Sequence, residues 1–264
     1  MASILDRIFA AKREEVNARQ DVMPLAAMRA VAAAAEAPRD FLAALRAYQP
    51  AIIAEIKRAS PSKGDILPGL DPATVARAYR DGGAAAISVL TDQHFKGSLD
   101  DLRAVRAAIH LPLLRKDFMF APYQVYEARA AGADAILLIV AMLERKGLCE
   151  LAALAHELGM AALVEVHNEA EFAQAVELDA EVIGINNRDL HTFKTDIAVT
   201  ERLLHGYHGN GVIISESGIE TAADIACLAE AGARGFLIGE SLLRGGNPAH
   251  ALSTLLAPVT SRAQ

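Results

Sequence analysis

The sequence has few cysteines, no excess of positive charge and no long hydrophobic run. Its two cysteines, Cys149 and Cys227, lie far apart, which argues against a disulfide scaffold, a cysteine-based zinc site and a secreted protein. Asp and Glu number 33 against 26 Lys and Arg, so the net charge of −7 lacks the general basic footprint of a nucleic-acid-binding protein. The longest apolar run, Ala135 to Leu143, is too short to cross a bilayer.

The N-terminus lacks the apolar core of a secretory signal, because Asp6 and Arg7 interrupt it. We therefore expect a cytoplasmic protein that does not bind a membrane. Hydrophobic residues make up 53% of the 264 positions, which argues against disorder. A chain of this length favours one large domain with an extension.

A repeating unit of one short strand and one helix begins near Ala51. The first fifty residues show helical patterns only, which predicts an N-terminal helical extension over residues 1–50 and a domain over 51–264. In that domain eight apolar runs start about every 20–35 residues, as strand–helix units would. They are 51–56, 84–90, 111–114, 135–142, 161–166, 182–185, 211–214 and 235–238.

Eight strands that each precede a helix predict a parallel sheet buried on both faces. Eight is also the number that closes a (β/α)8 barrel, whereas an open, doubly wound sheet is the alternative. No Gly-x-Gly-x-x-Gly follows the first strand, which weakens a dinucleotide-binding interpretation. The sequence therefore favours an α/β protein with a single (β/α)8 TIM barrel, on which residues 1–50 pack.

Acidic and basic residues stand where strands 1 and 5 end, and barrel enzymes carry their active sites at these carboxyl ends. Glu55 and Lys57 point to the same side, so they form either a structural ion pair or an acid–base pair; we favour the second. Glu165 ends an apolar strand, where a lone carboxylate is costly unless it is used or paired. His167 beside it is expected to stabilise a loop rather than to catalyse.

The end of strand 3 leaves two arrangements open. Alternation puts Lys116 and Phe118 on one side and Arg115 and Asp117 on the other, but the sequence does not say which side faces inward. A solvated rim that holds all three charges is equally compatible with the pattern.

Strands 6, 7 and 8 end in residues that suit anionic ligands. Asn186 and Arg188 share a side, and an arginine there can hold a carboxylate through two hydrogen bonds, although an Asn-rich turn is the alternative. The segments 215–218 and 239–241 combine Ser and Gly at the two places where barrels commonly bind phosphate. The loop from Ser60 to Gly64 either adds to that site and closes over it, or is a simple turn.

Six segments, taken together, resemble indole-3-glycerol phosphate synthases. They occur in the same order and span the whole chain, including the helical extension: 54–62 (AEIKRASPS), 114–118 (LRKDF), 163–167 (LVEVH), 183–190 (IGINNRDL), 215–219 (SESGI) and 235–241 (GFLIGES). The resemblance implies a carbon–carbon lyase (carboxy-lyase) of tryptophan biosynthesis that needs no cofactor and no metal. Its substrate would be 1-(2-carboxyphenylamino)-1-deoxyribulose 5-phosphate.

The same resemblance assigns roles to individual residues. Lys116 would be the acid that closes the ring, Glu165 and Lys57 would assist dehydration, and Glu55 would orient Lys57. Substrate would be bound by Ser60, Phe118, Asn186, Arg188, Leu190 and Ser217. Phosphate would be bound by Ser217, Gly218, Gly239 and Glu240, and either Leu137 or Leu138 would contact the aromatic ring. We expect a monomer.

Two alternatives remain open at this point. One is another phosphate-binding barrel enzyme, either a phosphoribosyl isomerase or a Schiff-base aldolase. The other is a barrel without enzymatic activity that binds a ligand or a partner, although the polar residues at so many strand ends argue against it.

Overall fold

Three helices precede the first strand. The computed structural model describes residues 4–60, 64–66, 69–189 and 192–260. For residues 4–6, 60 and 258–260 it describes the backbone alone. The helices are α1 (Ile4–Val22), α2 (Leu25–Ala34) and α3 (Phe41–Ala47). The side chain of Asp40 begins α3 by accepting a hydrogen bond of 2.7 Å from the backbone N–H of Ala43, as an N-cap residue does.

Strands and helices then alternate along the chain. Strand β1 (Ala51–Ile56) is followed by a short hairpin of β2 (Ala59–Ser60) and β3 (Gly64–Asp65). The remaining elements are α4 (Pro72–Asp81), β4 (Ala86–Leu90), α5 (Leu99–Ala108), β5 (Leu113–Lys116), α6 (Pro122–Ala130), β6 (Ala135–Ile139), α7 (Arg145–Glu157), β7 (Ala161–Val166), α8 (Glu169–Glu177), β8 (Val182–Asn186), α9 (Ala198–Leu204), β9 (Val212–Glu216), α10 (Ala222–Glu230), β10 (Gly235–Ile238), α11 (Glu240–Leu243) and α12 (Pro248–Thr260).

The eight long strands close into a parallel barrel. Their order around it is β1-β10-β9-β8-β7-β6-β5-β4, and β4 pairs with β1 to complete the ring. The predicted (β/α)8 barrel is therefore confirmed, and the open, doubly wound alternative is wrong.

Three strands extend further than their apolar runs, β8 by Asn186 alone and β5 and β9 by two residues each. We predicted strand segments that end at Leu114 and Ile214, whereas β5 continues to Lys116 and β9 to Glu216. The apolar criterion ended these strands early because it treats a charged residue as the start of a loop. Here the charges belong to the strands and are paired across the barrel.

Apolar side chains fill two separate layers. The larger layer lies between the sheet and the surrounding helices, and the smaller one lies inside the barrel. Phe41 and Leu45 of α3 belong to the inner layer and are almost completely buried. Helix α3 packs against β1, β4 and β9, so it covers the end of the barrel that the strands enter. The opposite end stays open to a ligand.

The first two helices pack on the outside of the barrel. Val16 of α1 and Met28 of α2 form a third apolar cluster with Tyr123 of α6. The rings of Phe9 and Phe120 also meet edge to face, with 4.9 Å between their centroids. These contacts bring α1 close to the open end of the barrel.

Candidate active site

A cavity of about 290 Å³ occupies the carboxyl ends of the barrel strands. It is lined by four predicted catalytic or binding residues, Glu55, Lys116, Glu165 and Asn186. Along their strands Glu55 and Glu165 alternate with buried apolar residues. Lys57, Phe118, Arg188, Ser217, Gly218, Gly239 and Glu240 line it as well. The strands therefore bring together nearly all of the residues that the sequence marked separately.

Two predicted residues are not described. Leu190 lies outside the described residues, and so does the side chain of Ser60, although its backbone forms part of β2. Residues 61–63 of the loop after Ser60 also lie outside them. The predicted closure of that loop stays a prediction.

Glu55 and Lys57 form a close ion pair at the end of β1. The Nζ of Lys57 lies 2.6 Å from Oε1 of Glu55, and the Glu55 side chain is almost completely buried. Burial by itself would raise the pKa of Glu55, but the charges of Lys57 and Lys116 outweigh it and lower that pKa. Glu55 is therefore a carboxylate that can orient the ammonium group of Lys57 toward a ligand.

Lys116 lies at the centre of the cavity. Its Nζ is 2.8 Å from Oε2 of Glu216 and 3.3 Å from Oε2 of Glu165. Burial would lower the pKa of Lys116, but the carboxylates of Glu216, Glu165 and Glu55 raise it above its ordinary value. Lys116 is therefore an ammonium group at neutral pH, which is the form that can donate a proton.

Glu165 is held from three sides. Its Oε1 accepts a hydrogen bond of 3.2 Å from Nδ2 of Asn186 and lies 3.2 Å from Nε2 of His167. Its Oε2 faces Lys116. Burial would raise the pKa of Glu165, but Lys116 and His167 lower it well below its usual range. The carboxylate is thus ionised and fixed in orientation.

Glu216 is a site residue that the sequence analysis missed. It is the last residue of β9, it is almost fully buried, and no described group donates a hydrogen bond to its Oε1. Burial raises its pKa to about 7, against the opposing effect of Lys116 and with the help of the Glu165 charge. It is therefore a carboxyl group that gains or loses its proton near neutral pH.

The glycine of β8 makes room for that carboxyl group. A Cβ atom added at Gly184 would collide with Oε1 of Glu216 and with the Leu163 side chain. The sequence shows this signal as a single glycine within the apolar run 182–185. A glycine in a strand interior commonly marks a close approach of another group.

The structure shows which residues face the cavity at the end of the third predicted strand, which is β5. Lys116 and Phe118 line the cavity, whereas Arg115 does not. Asp117 also borders the cavity, but its side chain is almost completely buried, as is that of Arg115. The Nη2 of Arg115 lies 2.9 Å from Oδ2 of Asp117. The alternative of a solvated rim is therefore wrong for these charges.

Helix α1 contributes a buried positive charge next to Asp117. Lys12 is fully buried, and its Nζ lies 2.9 Å from Asp117, 2.7 Å from Asp92 and 2.8 Å from Glu15. Burial would lower the pKa of Lys12, but Asp117 and Asp92 raise it, so Lys12 stays charged. This lysine could not be predicted from its sequence context, because an isolated lysine on a predicted helix is usually exposed.

The apolar wall of the cavity lies beside Lys116. Phe118 and Phe95 stand with 6.3 Å between ring centroids, and Leu137 and Ile8 line the cavity near them. Leu138 instead packs between the sheet and the helices, so of the two leucines considered only Leu137 reaches the cavity. The extension supplies part of this wall through Ile8.

Asn186 and Arg188 lie together at the end of β8. The backbone N–H of Arg188 donates a hydrogen bond of 3.1 Å to Oδ1 of Asn186, and a backbone bridge joins Arg188 to Thr195. Both side chains line the cavity. The charge of Arg188 is among those that lower the pKa of Glu55.

Short segments that contain glycine follow β9 and β10. Ser217 and Gly218 have positive φ angles of 68° and 77°, and the hydroxyl group of Ser241 donates a hydrogen bond of 3.1 Å to the carbonyl of Ile219. A Cβ atom at Gly239 would lie only 2.5 Å from Oε1 of Glu55. The Glu240 side chain, at the start of α11, pairs with Arg244.

Other kinds of site are not indicated in the part of the chain that the structure describes. There, no three His, Cys, Asp or Glu side chains are grouped so as to hold a metal ion. Within the same residues, no helix is long and apolar enough to span a bilayer.

The family model described as indole-3-glycerol phosphate synthase matches residues 5–255. The chain belongs to this family. A synthase of that name from Mycolicibacterium gilvum is 50% identical over 260 residues, which cover 98% of this chain and 96% of the relative. Another, from Chromobacterium violaceum, is also 50% identical over 260 residues, with 97% and 98% covered. The indole-3-glycerol phosphate synthase family thus accounts for both the barrel and the extension.

More distant solved structures share the fold. N-acetylmannosamine-6-phosphate 2-epimerase from Clostridium perfringens superimposes with a TM-score of 0.62 at 16% identity, covering 83% of this chain and 93% of that one. Thiamine phosphate pyrophosphorylase from Pyrococcus furiosus gives a TM-score of 0.60 at 14% identity, covering 82% and 98%. At this identity the likeness concerns the barrel alone.

Proposed function

We propose that this protein, as a member of the indole-3-glycerol phosphate synthase family, converts 1-(2-carboxyphenylamino)-1-deoxyribulose 5-phosphate into indole-3-glycerol phosphate, CO2 and water. The observation that carries the proposal is the placement of Lys116 between Glu165 and Glu216, with Glu55 and Lys57 in the same cavity. The reaction needs an acid in one step and an acid–base pair in another, and these five residues supply both.

Ring closure requires a proton at the ketone oxygen while the aromatic carbon attacks the carbonyl carbon. Lys116 is charged and central, so we assign it this proton transfer. A new carbon–carbon bond forms, and the ketone oxygen becomes a hydroxyl group. The carboxylate then leaves as CO2, and the bonding electrons return to the ring and restore its aromaticity.

Dehydration follows at the new hydroxyl group. Lys57, oriented by Glu55, donates a proton to the departing oxygen, and Glu165 accepts the proton from the neighbouring carbon. Two protons leave the lysines and Glu165 gains one, so the starting state returns when one proton from water enters the site and the Glu165 proton passes back to a lysine. Glu216 lies 2.8 Å from Lys116 and is suited to return this proton, because its pKa is about 7.

The remaining cavity residues are assigned to binding. Arg188 and Asn186 would hold the carboxylate and the hydroxyl groups, whereas Phe118, together with Leu190, would contact the aromatic ring. The phosphate would lie on the backbone of Ser217, Gly218, Gly239 and Glu240, with Ser60 nearby. Glycine permits this close approach of backbone N–H groups to an anion.

We further propose that the protein works as a monomer in the cytoplasm, without cofactor, and that residues 1–50 act as one unit with the barrel of 51–264. One chain supplies every cavity residue named here, and Ile8 brings the extension into the cavity wall. Light scattering during size-exclusion chromatography tests the monomer.

The decisive experiment is a direct assay with the proposed substrate. We expect a fluorescent indole product and one CO2 per substrate consumed. Formation of an isomer without CO2, or trapping of a substrate adduct on a lysine by borohydride, would instead indicate a phosphoribosyl isomerase or an aldolase. No turnover and no binding of the substrate would contradict the proposal.

A further inference from the structure

His167 joins the active-site carboxylate to the helix that follows β7. Its Nε2 lies 3.2 Å from Oε1 of Glu165, and its Nδ1 lies 3.0 Å from Oε2 of Glu171 in α8. The side chain of His167 is only 9% exposed. It therefore stands between two carboxylates with little access to water.

This placement selects the doubly protonated ring. A carboxylate oxygen only accepts hydrogen bonds, so a ring nitrogen that faces one must carry a hydrogen to avoid opposing lone pairs. Burial would lower the pKa of His167, but Glu165 and Glu171 raise it to about 10. The Nε2–H group makes no well-aligned hydrogen bond to any described group, so its attraction to Glu165 is mainly that of opposite charges.

The first turn of α8 holds Glu171 in place. The backbone N–H of Glu171 donates to Oδ1 of Asn168 at 3.0 Å, and Nδ2 of Asn168 donates to Oε1 of Glu171 at 2.6 Å. The backbone N–H of His167 donates to the other Glu171 oxygen at 2.8 Å. Each oxygen of Glu171 is thus occupied, and the imidazole ring has a fixed partner on the helix side.

The two carboxylate oxygens of Glu165 therefore have different partners. Oε1 is occupied by His167 and by Asn186 from β8, whereas Oε2 faces Lys116 from β5. The charge of Glu216 on β9 acts within the same cluster. Without a positive charge beside Oε1, Glu165 would have Lys116 as its main cationic partner, and Lys116 is shared with Glu216.

We propose that His167 is a positioning residue for the reaction: as an imidazolium between Glu165 and Glu171, it fixes the rotamer of Glu165 and keeps it ionised until it accepts the substrate proton. This inference rests on the proposed function for its kinetic part only. The bridge itself is a statement about charge and geometry, and it is tested without substrate.

The first test is therefore a titration. The Cε1–H signals of the eight histidines are followed by NMR in the free protein, and His167 is assigned by its loss in His167→Gln. We expect His167 to stay protonated through about pH 8.5 in the wild-type protein, and to titrate at least one unit lower in Glu171→Gln. A His167 that is neutral at pH 7 would overturn the proposal whatever the enzyme catalyses.

The second test is kinetic. We expect His167→Gln to lower kcat roughly tenfold or more with KM within a factor of about two, because Glu165 loses its orientation while the substrate contacts remain. The midpoint of the acid limb of the kcat profile should rise by about one pH unit, since Glu165 protonates more easily. Glu171→Gln should change both in the same direction by a smaller amount.

A control variant and two contrary outcomes distinguish the positioning role of His167 from a purely structural one. His156→Gln changes an exposed histidine at the end of α7 and should leave kcat and its pH profile unchanged. Wild-type kcat and pH profile in His167→Gln would show that this histidine only stabilises the loop. A wild-type protein without synthase activity would instead contradict the proposed function and leave the titration as the test of the bridge.

Discussion

The Nζ of Lys116 lies 2.8 Å from Oε2 of Glu216, although β5 and β9 stand on opposite sides of the barrel. Three strands separate them in either direction around the ring, β6, β7 and β8 on one side and β4, β1 and β10 on the other. The two side chains therefore span the open end of the barrel and meet at its centre. A ligand in this cavity must contact both of them or displace one of them.

Replacing Glu216 by Gln should alter how stability depends on pH. The pKa of Glu216 is about 7 in the folded protein and has its ordinary value of 4.5 when unfolded, so the folded state binds more protons between these values. Its contribution is therefore fully present below about pH 4.5 and lost as the pH rises through 7. Glu216→Gln should be more stable than the wild type at about pH 8, by on the order of 1–3 kcal/mol, and not at pH 5.

Urea unfolding of both proteins at the two pH values measures this difference. Glu157→Gln removes an exposed glutamate and serves as the matched control. An equal difference between wild type and Glu216→Gln at both pH values would show that Glu216 does not titrate between them.

Replacing Lys116 by Ala should remove the acid for ring closure. General acid catalysis contributes about 10²–10⁴-fold, so kcat should fall by at least that range. Lys146→Ala, a change at an exposed lysine of α7, should leave kcat unaffected. Single-turnover assays with folded protein, checked by circular dichroism, measure the change; near-normal turnover in Lys116→Ala would exclude this lysine from the chemistry.

Gly239→Ala should weaken binding of the phosphate group. The added Cβ would lie 2.5 Å from Oε1 and 3.0 Å from Cβ of Glu55, so either Glu55 or the backbone that would receive the phosphate must shift. We expect KM to rise roughly tenfold, which corresponds to about 1.4 kcal/mol. Inhibition by inorganic phosphate should weaken in parallel.

Gly245→Ala is the control for this change, because an added Cβ at Gly245 meets no atom within 4 Å and the residue has no positive φ. Its KM should equal that of the wild type. If Gly239→Ala also keeps the wild-type KM and phosphate inhibition, then the phosphate lies elsewhere.

Lys12→Met should destabilise the protein strongly. Removing one partner from a buried ion pair leaves an uncompensated charge and typically costs 3–5 kcal/mol, so we expect a loss of about that size in the free energy of unfolding. Arg7→Met, at an exposed position of the same helix, should change it by less than about 0.5 kcal/mol. Thermal and urea unfolding of the two variants compares them, and equal effects would show that the Asp92 and Asp117 carboxylates do not need Lys12.

The sequence predicted the barrel well because its signal is repeated. Eight apolar runs at regular intervals define strand–helix units, and a parallel sheet brings the carboxyl ends of the strands together. Glu55 and Glu165 were recognised because a carboxylate in an apolar strand is costly unless it is used. Glu216 escaped notice because Ser215 and Ser217 on either side of it made the segment look like a loop.

The buried ion pairs between the sheet and the helices were less predictable, for a different reason. Alternation shows that Lys116 and Asp117 face opposite ways, but only the closed barrel determines which way is inward. One ion-pair partner of Asp117, Lys12, is more than a hundred positions away in the chain. No local pattern connects residues at that separation, so this ion pair required the tertiary structure.

Arg188→Lys should separate the geometry of the guanidinium group from its charge. Arg188 and Asn186 line one wall of the cavity, and the proposed substrate carries an aromatic carboxylate. A guanidinium group can donate two parallel hydrogen bonds to that carboxylate, whereas an ammonium group offers a point charge. Since a hydrogen bond to a charged group contributes about 1.5–3 kcal/mol, losing one should raise KM roughly tenfold or more.

The matched ligand for this test is the substrate analogue that lacks the carboxylate, 1-phenylamino-1-deoxyribulose 5-phosphate. Its affinity should change very little in Arg188→Lys, and Arg188→Ala should raise KM for the full substrate further, because the carboxylate then meets no positive charge from this strand. Arg145→Lys, at an exposed arginine of α7, controls for the substitution itself. Calorimetric titration of both ligands into each variant measures these affinities. If Arg188→Lys binds both ligands as the wild type does, Arg188 is a structural residue at the rim and another group holds the carboxylate.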